Sequence, residues 1–448
     1  MPFVRRHPML FLSIDFGTSA VKMSIVDDKL NTLCWSKSEY HYIMLPGEKN
    51  ELRESDLMHA FFESADKLDP TLREQVDVVC YDTFSPSLVL LDREGELVYP
   101  NIITHMDRRS RPQTQFIDER YGRTEYMQIS GIYPFPGGCS AMTLIWFAQN
   151  MPEVLERVYR VGHLPTLIHK RLTGKWTIDL VNASMTGLYK TTTQGGWSNA
   201  LLDAFSLRSD LFGEIYNPGT IYGTLLHDIA QRLGVPAGIP VCVGTNDAAA
   251  AQMGAKNYRP GDIMNPTGSS EIISVLTDIP KVDPGYYLRN AAVPGLWQIF
   301  AITCGGFGVD WFYNQFCQDM SQDEFYQFEA EAIRHYLESG DGGITFEPYL
   351  AGDRQSLEPK TGAWNGLTLA ATRGQMLAAY LSAIQGVIRK ILHKAEKSTK
   401  LNTTIKISGG MATEDYLALK RKELPGFSFE VVNDCPILGN VELAKCYL

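Results

Sequence analysis

LFLSIDFGTSAVKMSIVDD, residues 10–28, is an apolar run that reaches an aspartate, turns through Gly-Thr-Ser and leaves as a second apolar run. That pattern predicts a β-hairpin with a small, hydroxyl-rich apex. PGDIMNPTGSSEIISVLTD, residues 260–278, repeats the design more than two hundred residues later. At such an apex Gly17 and Gly268 let the backbone approach an anion. Thr18, Ser19, Ser269 and Ser270 add hydroxyls to N–H groups able to face phosphate oxygens. Two such hairpins predict two related α/β lobes around one polyphosphate. Taken singly, each is better read as an ordinary glycine turn, and a third segment decides between the readings.

That segment is PVCVGTNDAAAAQMGA, residues 240–255. The spacing predicts a strand ending at Gly244 and a helix from about Asp247. An aspartate before an alanine run is commonly a helix N-cap. A carboxylate just beyond a strand, backed by small residues, equally suits a crowded site where a substrate hydroxyl meets a phosphate. Spacing alone leaves both open.

Five ordered blocks settle the class: IDFGTSAVK (14–22), GTNDAAAA (244–251), TGSSE (267–271), EPYLAGDRQSLEPKTGAWNGL (347–367) and ISGGMATEDYL (407–417). In this order and spacing the chain resembles the FGGY carbohydrate kinases from about Leu10 to its last residues. The resemblance implies an α/β fold of two actin/hexokinase-like (ribonuclease H-like) lobes, with a ligand cleft between them. It implies an N-terminal lobe with a sugar-binding segment over 1–244 and a nucleotide-binding lobe over 245–448, joined through a hinge near 244–258. ATP is the implied phosphoryl donor, with Mg²⁺ on its phosphates.

The resemblance also assigns roles. Asp15 falls at the family's first phosphate motif, near Mg²⁺ and bridged to it by water. Thr18, Ser19 and Lys22 match the β/γ-phosphate contacts with Gly17, and Gly268 and Ser269 match the second phosphate motif. Gly306, Gly409, Gly410 and Met411 resemble the nucleotide contacts, with Met411 open between contacting adenine and packing. Asp247 matches the catalytic base, which holds the attacking hydroxyl in line with the γ-phosphate. On the sugar side Ser85 and Pro86 of DTFSPSLVLLD (82–92) stand where relatives carry a His. In ITHMDRRS (103–110), Asp107 and Arg109 match the charged residues of a family motif, while His105 replaces its Trp. Ser85, Asp107, Arg109 and Asp247 are therefore the expected sugar contacts, with a salt-bridged helix start as the alternative for Asp107 and Arg109. VNASMTGLYKTTTQGGW (181–197) resembles the xylulokinase and gluconokinase branches, so a ketopentose such as xylulose is expected before gluconate or another polyol.

Bulk properties agree with a soluble enzyme. The 448 residues suffice for two or three cores, and 44% hydrophobic with 21% charged content is ordinary. A net charge of −10 argues against nucleic acid or an anionic membrane as partner. Eight scattered cysteines without a CxxC pair fit a reducing cytoplasm. The opening MPFVRRHPMLFLSID has too short an apolar stretch for a signal peptide and reads into the first strand. A homodimer is left open as the assembly. An actin- or Hsp70-like ATPase is the competing class, and the sugar-side blocks disfavour it.

Helical spacing predicts helices over 54–68, 107–122, 225–233, 322–338 and 372–397 and a helical stretch over 151–175 with Pro165 as a helix start and Gly174 as a stop, with strands at VDVVCY, SLVLLD and TTIKIS.

Overall fold

Alternation along the first strand, Leu10–Phe16, builds both faces of a sheet. Leu10, Leu12, Ile14 and Phe16 enter a core with Leu57 and Phe61 of the helix Glu54–Asp66 and Leu164 and Leu167 of the helix Leu164–Thr173. Phe11 turns the other way, to Val78, Cys80, Ile437 and Val441. Ser13 and Asp15 share that second face, because successive strand residues point to opposite sides. The computed structural model describes residues 8–340, 342–350, 352 and 360–448. Most of GDRQSLEPKTG and the first seven residues therefore lie outside the described residues.

The chain divides into two compact units. One comprises Met1–Lys256, Leu288–Leu296 and Asp434–Leu448, and the other Asn257–Tyr287 and Trp297–Asn433. In the first, the strand order is Ile221–Thr224, Pro240–Cys242, Val78–Thr83, Leu10–Phe16, Ala20–Asp27, Thr32–Glu39. Leu10–Phe16 pairs antiparallel with Ala20–Asp27 and parallel with Val78–Thr83. Pro240–Cys242 and the short Thr245–Asn246 also run parallel to Val78–Thr83.

The second unit repeats this plan. Ile263–Pro266 pairs antiparallel with Ser270–Thr277, which pairs antiparallel with Trp297–Cys304. On its other side Ile263–Pro266 runs parallel to Thr404–Ser408, which runs parallel to Ser428–Val431. Both units thus carry an antiparallel three-strand meander extended by parallel strands, the duplicated architecture that the two hairpins suggested.

Two expectations change. The stretch 151–175 is interrupted, because Arg160–His163 pairs as a strand with Ser87–Leu91 between the helices Pro152–Arg157 and Leu164–Thr173, the second of which has Pro165 in its first turn and stops at Gly174 as its sequence predicts. The boundary expected at 244/245 also moves. The helix Asp247–Gly254 stays in the first unit, and the C-terminal helix Cys435–Lys445 packs on it. The backbones approach so closely that a Cβ at Gly439 would lie 1.8 Å from the Ala250 carbonyl oxygen. One at Gly254 would lie 1.9 Å from that of Cys435. The small residues behind Asp247 serve this crossing.

Gly439→Ala is therefore expected to destabilise the protein by roughly 2–3 kcal/mol, the scale of overpacking against backbone that cannot yield. A urea-unfolding midpoint equal to the parent's would show that the two helices separate without cost.

Candidate active site

The carboxyl ends of the parallel strands in the first unit bring three aspartates together, at the place where open α/β sheets bind ligands. Asp15 lies opposite Asp82 in the register of Leu10–Phe16 with Val78–Thr83. Asp82 in turn lies opposite Thr245, two residues before Asp247. Asp15 and Asp82 are buried side by side and act on each other through their carboxyls, and among the described residues Oδ1 of each has no donor from any other residue. Asn440 of the C-terminal helix donates to Asp82 Oδ2 at 2.6 Å. Burial pushes Asp15 upward, opposed by the charge of Lys22, whose Nζ lies 3.7 Å from Asp15 Oδ2. Asp82 is driven well above the carboxylate range by burial and then by the charges of Asp15 and Asp247.

Asp247 opens the helix Asp247–Gly254, but it is not the cap, since the N-cap position belongs to Asn246. Its Oδ1 accepts from Ala248 N and Asn246 Nδ2, both at 2.7 Å, and Oδ2 takes no hydrogen bond among the described residues. Asp247 keeps partial exposure. Burial and the charge of Asp15 push it up to about 7, opposed by its backbone hydrogen bond to Ala248 and by Arg289. A carboxylate poised there takes and returns a proton near neutrality. The Tyr42 hydroxyl, on which the charge of Asp247 also acts, is another buried polar atom that has no hydrogen-bond partner among the described residues.

The hairpin apex beside Asp15 is open. Thr18 and Ser19 are exposed, Gly17 N donates to Ala20 O at 3.0 Å, and the Tyr40 hydroxyl donates to Gly17 O.

In the second unit, the segments expected at the nucleotide converge on one turn. Gly306 N donates to Gly268 O at 2.8 Å, and Met411 N donates to Thr267 O at 3.2 Å. A Cβ at Gly306 would lie 2.9 Å from Gly268 O, and one at Gly409 would lie 2.3 Å from Thr267 O. Beyond Gly268 and Gly410 a Cβ would meet nothing within 4 Å, so the turn presents open backbone. A fully buried network holds this turn from beneath. Lys420 Nζ donates to Glu271, to Asn265 Oδ1 at 2.7 Å and to Gln385 Oε1 at 2.8 Å, while the Tyr416 hydroxyl donates to Glu271 Oε2 at 2.7 Å.

The sugar-side residues separate. Ser85 keeps partial exposure, and its Oγ donates to Asn182 Oδ1 at 2.8 Å. Asp107 and Arg109 are withdrawn, each side chain only 1% exposed. Arg109 donates to Asp107 through Nε and a terminal nitrogen, to Glu51 and to the Tyr99 hydroxyl. Asp107 also accepts from Asn50 N at 2.8 Å. These groups spend their polar atoms on one another, so the geometry is that of a buried ion pair, the alternative to a sugar contact. Sequence reasoning missed Asp82, Asn440 and the Lys420 network. VVCYD carries the same signal as LSID, a carboxylate ending an apolar run, whereas the other two are contacts between segments far apart in sequence.

Two lobes of this strand order, each with a glycine-hydroxyl hairpin, define an actin/hexokinase-like α/β protein. The sequence model described as the FGGY family of carbohydrate kinases, N-terminal domain, matches residues 10–254, and the chain belongs to this family of carbohydrate kinases. It is 26% identical to L-fuculokinase from Salmonella typhi over 376 residues, covering 82% of this chain and 77% of the relative. It is 23% identical to xylulose kinase from Bacillus subtilis over 419 residues, covering 91% and 82%. Among solved structures, the ligand-bound xylulose kinase from Lactobacillus acidophilus superposes with a TM-score of 0.88 at 20% identity, over 98% of this chain and 89% of that one. No helix of the described residues is long and apolar enough to cross a membrane.

A carboxyl group whose folded pKa is raised above its unfolded value makes stability fall as pH rises between the two values. For Asp247 that window runs from about 4, the ordinary aspartate value, to about 7. Asp247→Asn is expected to raise Tm relative to the parent at pH 8, with the gain vanishing at pH 4. Equal Tm differences at both pH values would remove the strained carboxylate from the account.

Proposed function

We propose that the protein transfers the γ-phosphate of ATP to a hydroxyl of a ketopentose such as xylulose, with Asp247 as the base. The observation that carries this reading is Asp247 itself: a half-buried carboxylate with one free oxygen and an affinity for protons balanced near neutrality. Phosphoryl transfer depends on positioning and charge stabilisation more than on covalent chemistry by the protein. Asp247 Oδ2 accepts the hydrogen of the attacking hydroxyl and holds its oxygen toward the phosphorus. The open apex of Gly17, Thr18 and Ser19, with Lys22, offers donors to the phosphate oxygens. In the second unit Gly268, Ser269, Gly306, Gly409, Gly410 and Met411 hold the nucleotide. Ser85 contacts the sugar, and Asp107 and Arg109 hold the segment Thr104–Ser110 in shape without touching it.

Mg²⁺ is the expected companion of ATP. Among the described residues no group of three or more His, Cys, Asp or Glu side chains is disposed to ligate a metal. Mg²⁺ characteristically keeps several waters and leans on one or two carboxylates plus phosphate oxygens. Asp15, a buried carboxylate beside the open apex, is the residue suited to it, and the ion would neutralise phosphate charge. The sugars in the names xylulose kinase and L-fuculokinase are both ketoses, which supports a ketose before gluconate. Family membership sets aside the actin- or Hsp70-like ATPase.

A coupled ADP-release screen of pentuloses, hexuloses, aldonates and polyols tests the reading, with xylulose expected to give the highest kcat/KM. Asp247→Ala should lower kcat for that sugar by at least about 10²-fold, the scale of a lost general base, while KM for ATP stays within about threefold. A variant within a few-fold of the parent's kcat would deny Asp247 the catalytic role.

A further inference from the structure

From Val78 to Leu91 every residue is buried except Ser85. It stands two residues beyond Thr83, which lies in register with Phe16 and with Asn246, so it shares the strand ends that carry Asp15 and Asp247. Its hydroxyl has one hydrogen and two lone pairs. The hydrogen goes to Asn182 Oδ1 at 2.8 Å.

The surrounding groups fix that direction. Asn182 Nδ2 donates to Asp179 Oδ2 at 2.6 Å, which orients the amide and turns its oxygen toward Ser85. Asp179 accepts as well from Val181 N, Asn182 N and Thr245 Oγ1. Burial pushes its carboxyl up to about 6, opposed by these hydrogen bonds, all of which it accepts. His163 Nδ1 meets the same Asn182 oxygen at 2.9 Å, so Nδ1 carries a hydrogen. Burial pushes His163 down to about 4, so the ring is neutral and Nε2 accepts from the Ser140 hydroxyl at 2.7 Å. The Thr83 hydroxyl lies farther from Ser85 Oγ, at 3.5 Å, and itself donates to the Phe84 carbonyl, so the Asn182 oxygen is the nearer acceptor for the Ser85 hydrogen.

We propose that Asn182 locks Ser85 as a one-way acceptor, so that the sugar pocket selects a substrate presenting a hydroxyl donor at that place and rejects a group that cannot donate. Ser85 is the specificity-determining contact, and Asn182, fixed by Asp179 and His163, is a positioning residue. The proposal rests on the ketopentose kinase reading and adds the polarity of the recognised group. A site built to bond a hydroxyl discriminates strongly against an analogue without it, because the buried partner is left unpaired.

The test is calorimetric binding, without ATP, of xylulose and of analogues in which each hydroxyl in turn is replaced by fluorine, which fills similar space and cannot donate. One analogue should bind the parent protein at least about tenfold more weakly than xylulose does. In Ser85→Ala that penalty should shrink to within about threefold while the others persist. Asn182→Ala should remove the same penalty, because the freed hydroxyl can turn its hydrogen outward. Penalties unchanged in Ser85→Ala overturn the proposal, and so does a penalty that Ser85→Ala removes and a folded Asn182→Ala keeps. Ser85 is partly exposed, so Ser85→Ala decides alone if Asn182→Ala does not fold. Failure of xylulose itself to bind the parent overturns the ketopentose reading instead.

Discussion

The crossing of the helix Asp247–Gly254 over the C-terminal helix is the constraint on which the site in the first unit depends. Gly254 and Gly439 leave no room for a side chain between the two backbones. That contact sets where the helix carrying Asp247 begins. It also presses the C-terminal helix onto the face of the sheet that carries Ser13, Asp15 and Asp82. Ser13 Oγ donates to Ile437 O at 2.7 Å, and Asn440 reaches both Asp82 and the Ile14 carbonyl. The last residues of the chain thus reach two neighbouring strands, Leu10–Phe16 and Val78–Thr83, and the helix that opens at Asp247.

Grouping carboxylates in a buried place costs stability, because each loses hydration and repels its neighbours. The raised proton affinities of Asp15, Asp82 and Asp247 are three readings of that same cost. Such strain persists where the surrounding structure overdetermines it and where the function uses it. The second unit handles charge differently. Its buried Lys420 is matched by Glu271 and two amide oxygens, so the turn at Gly268 rests on a satisfied network. Removing one member would leave a buried charge uncompensated.

Much of this was legible in the sequence. Both hairpins appear as read, because Gly flanked by apolar alternation leaves the backbone few other choices, and the shared strand order of the units follows from them. Leucine and isoleucine spacing likewise announced the helix Arg373–Ala395. What escaped was long-range. Arg160–His163 looks helical by neighbourhood and becomes a strand only because Ser87–Leu91 offers it an edge. Asp107 and Arg109 match a sugar-binding pattern, yet Glu51, far away in sequence, captures the guanidinium. The alanines after Asp247 suggested a crowded ligand site, and the same small residues also admit the C-terminal helix. In each case the deciding partner lies more than forty residues away, where local spacing carries no information.

Burial and the charge of Asp15 poise Asp247 near neutrality. Carbon-13 NMR of the Asp247 carboxyl during a pH titration measures this directly. A midpoint of about 7 is expected in the parent protein, moving downward in Asp15→Asn, where the neighbouring charge is gone. A midpoint at the ordinary aspartate value of about 4 in both proteins would contradict it.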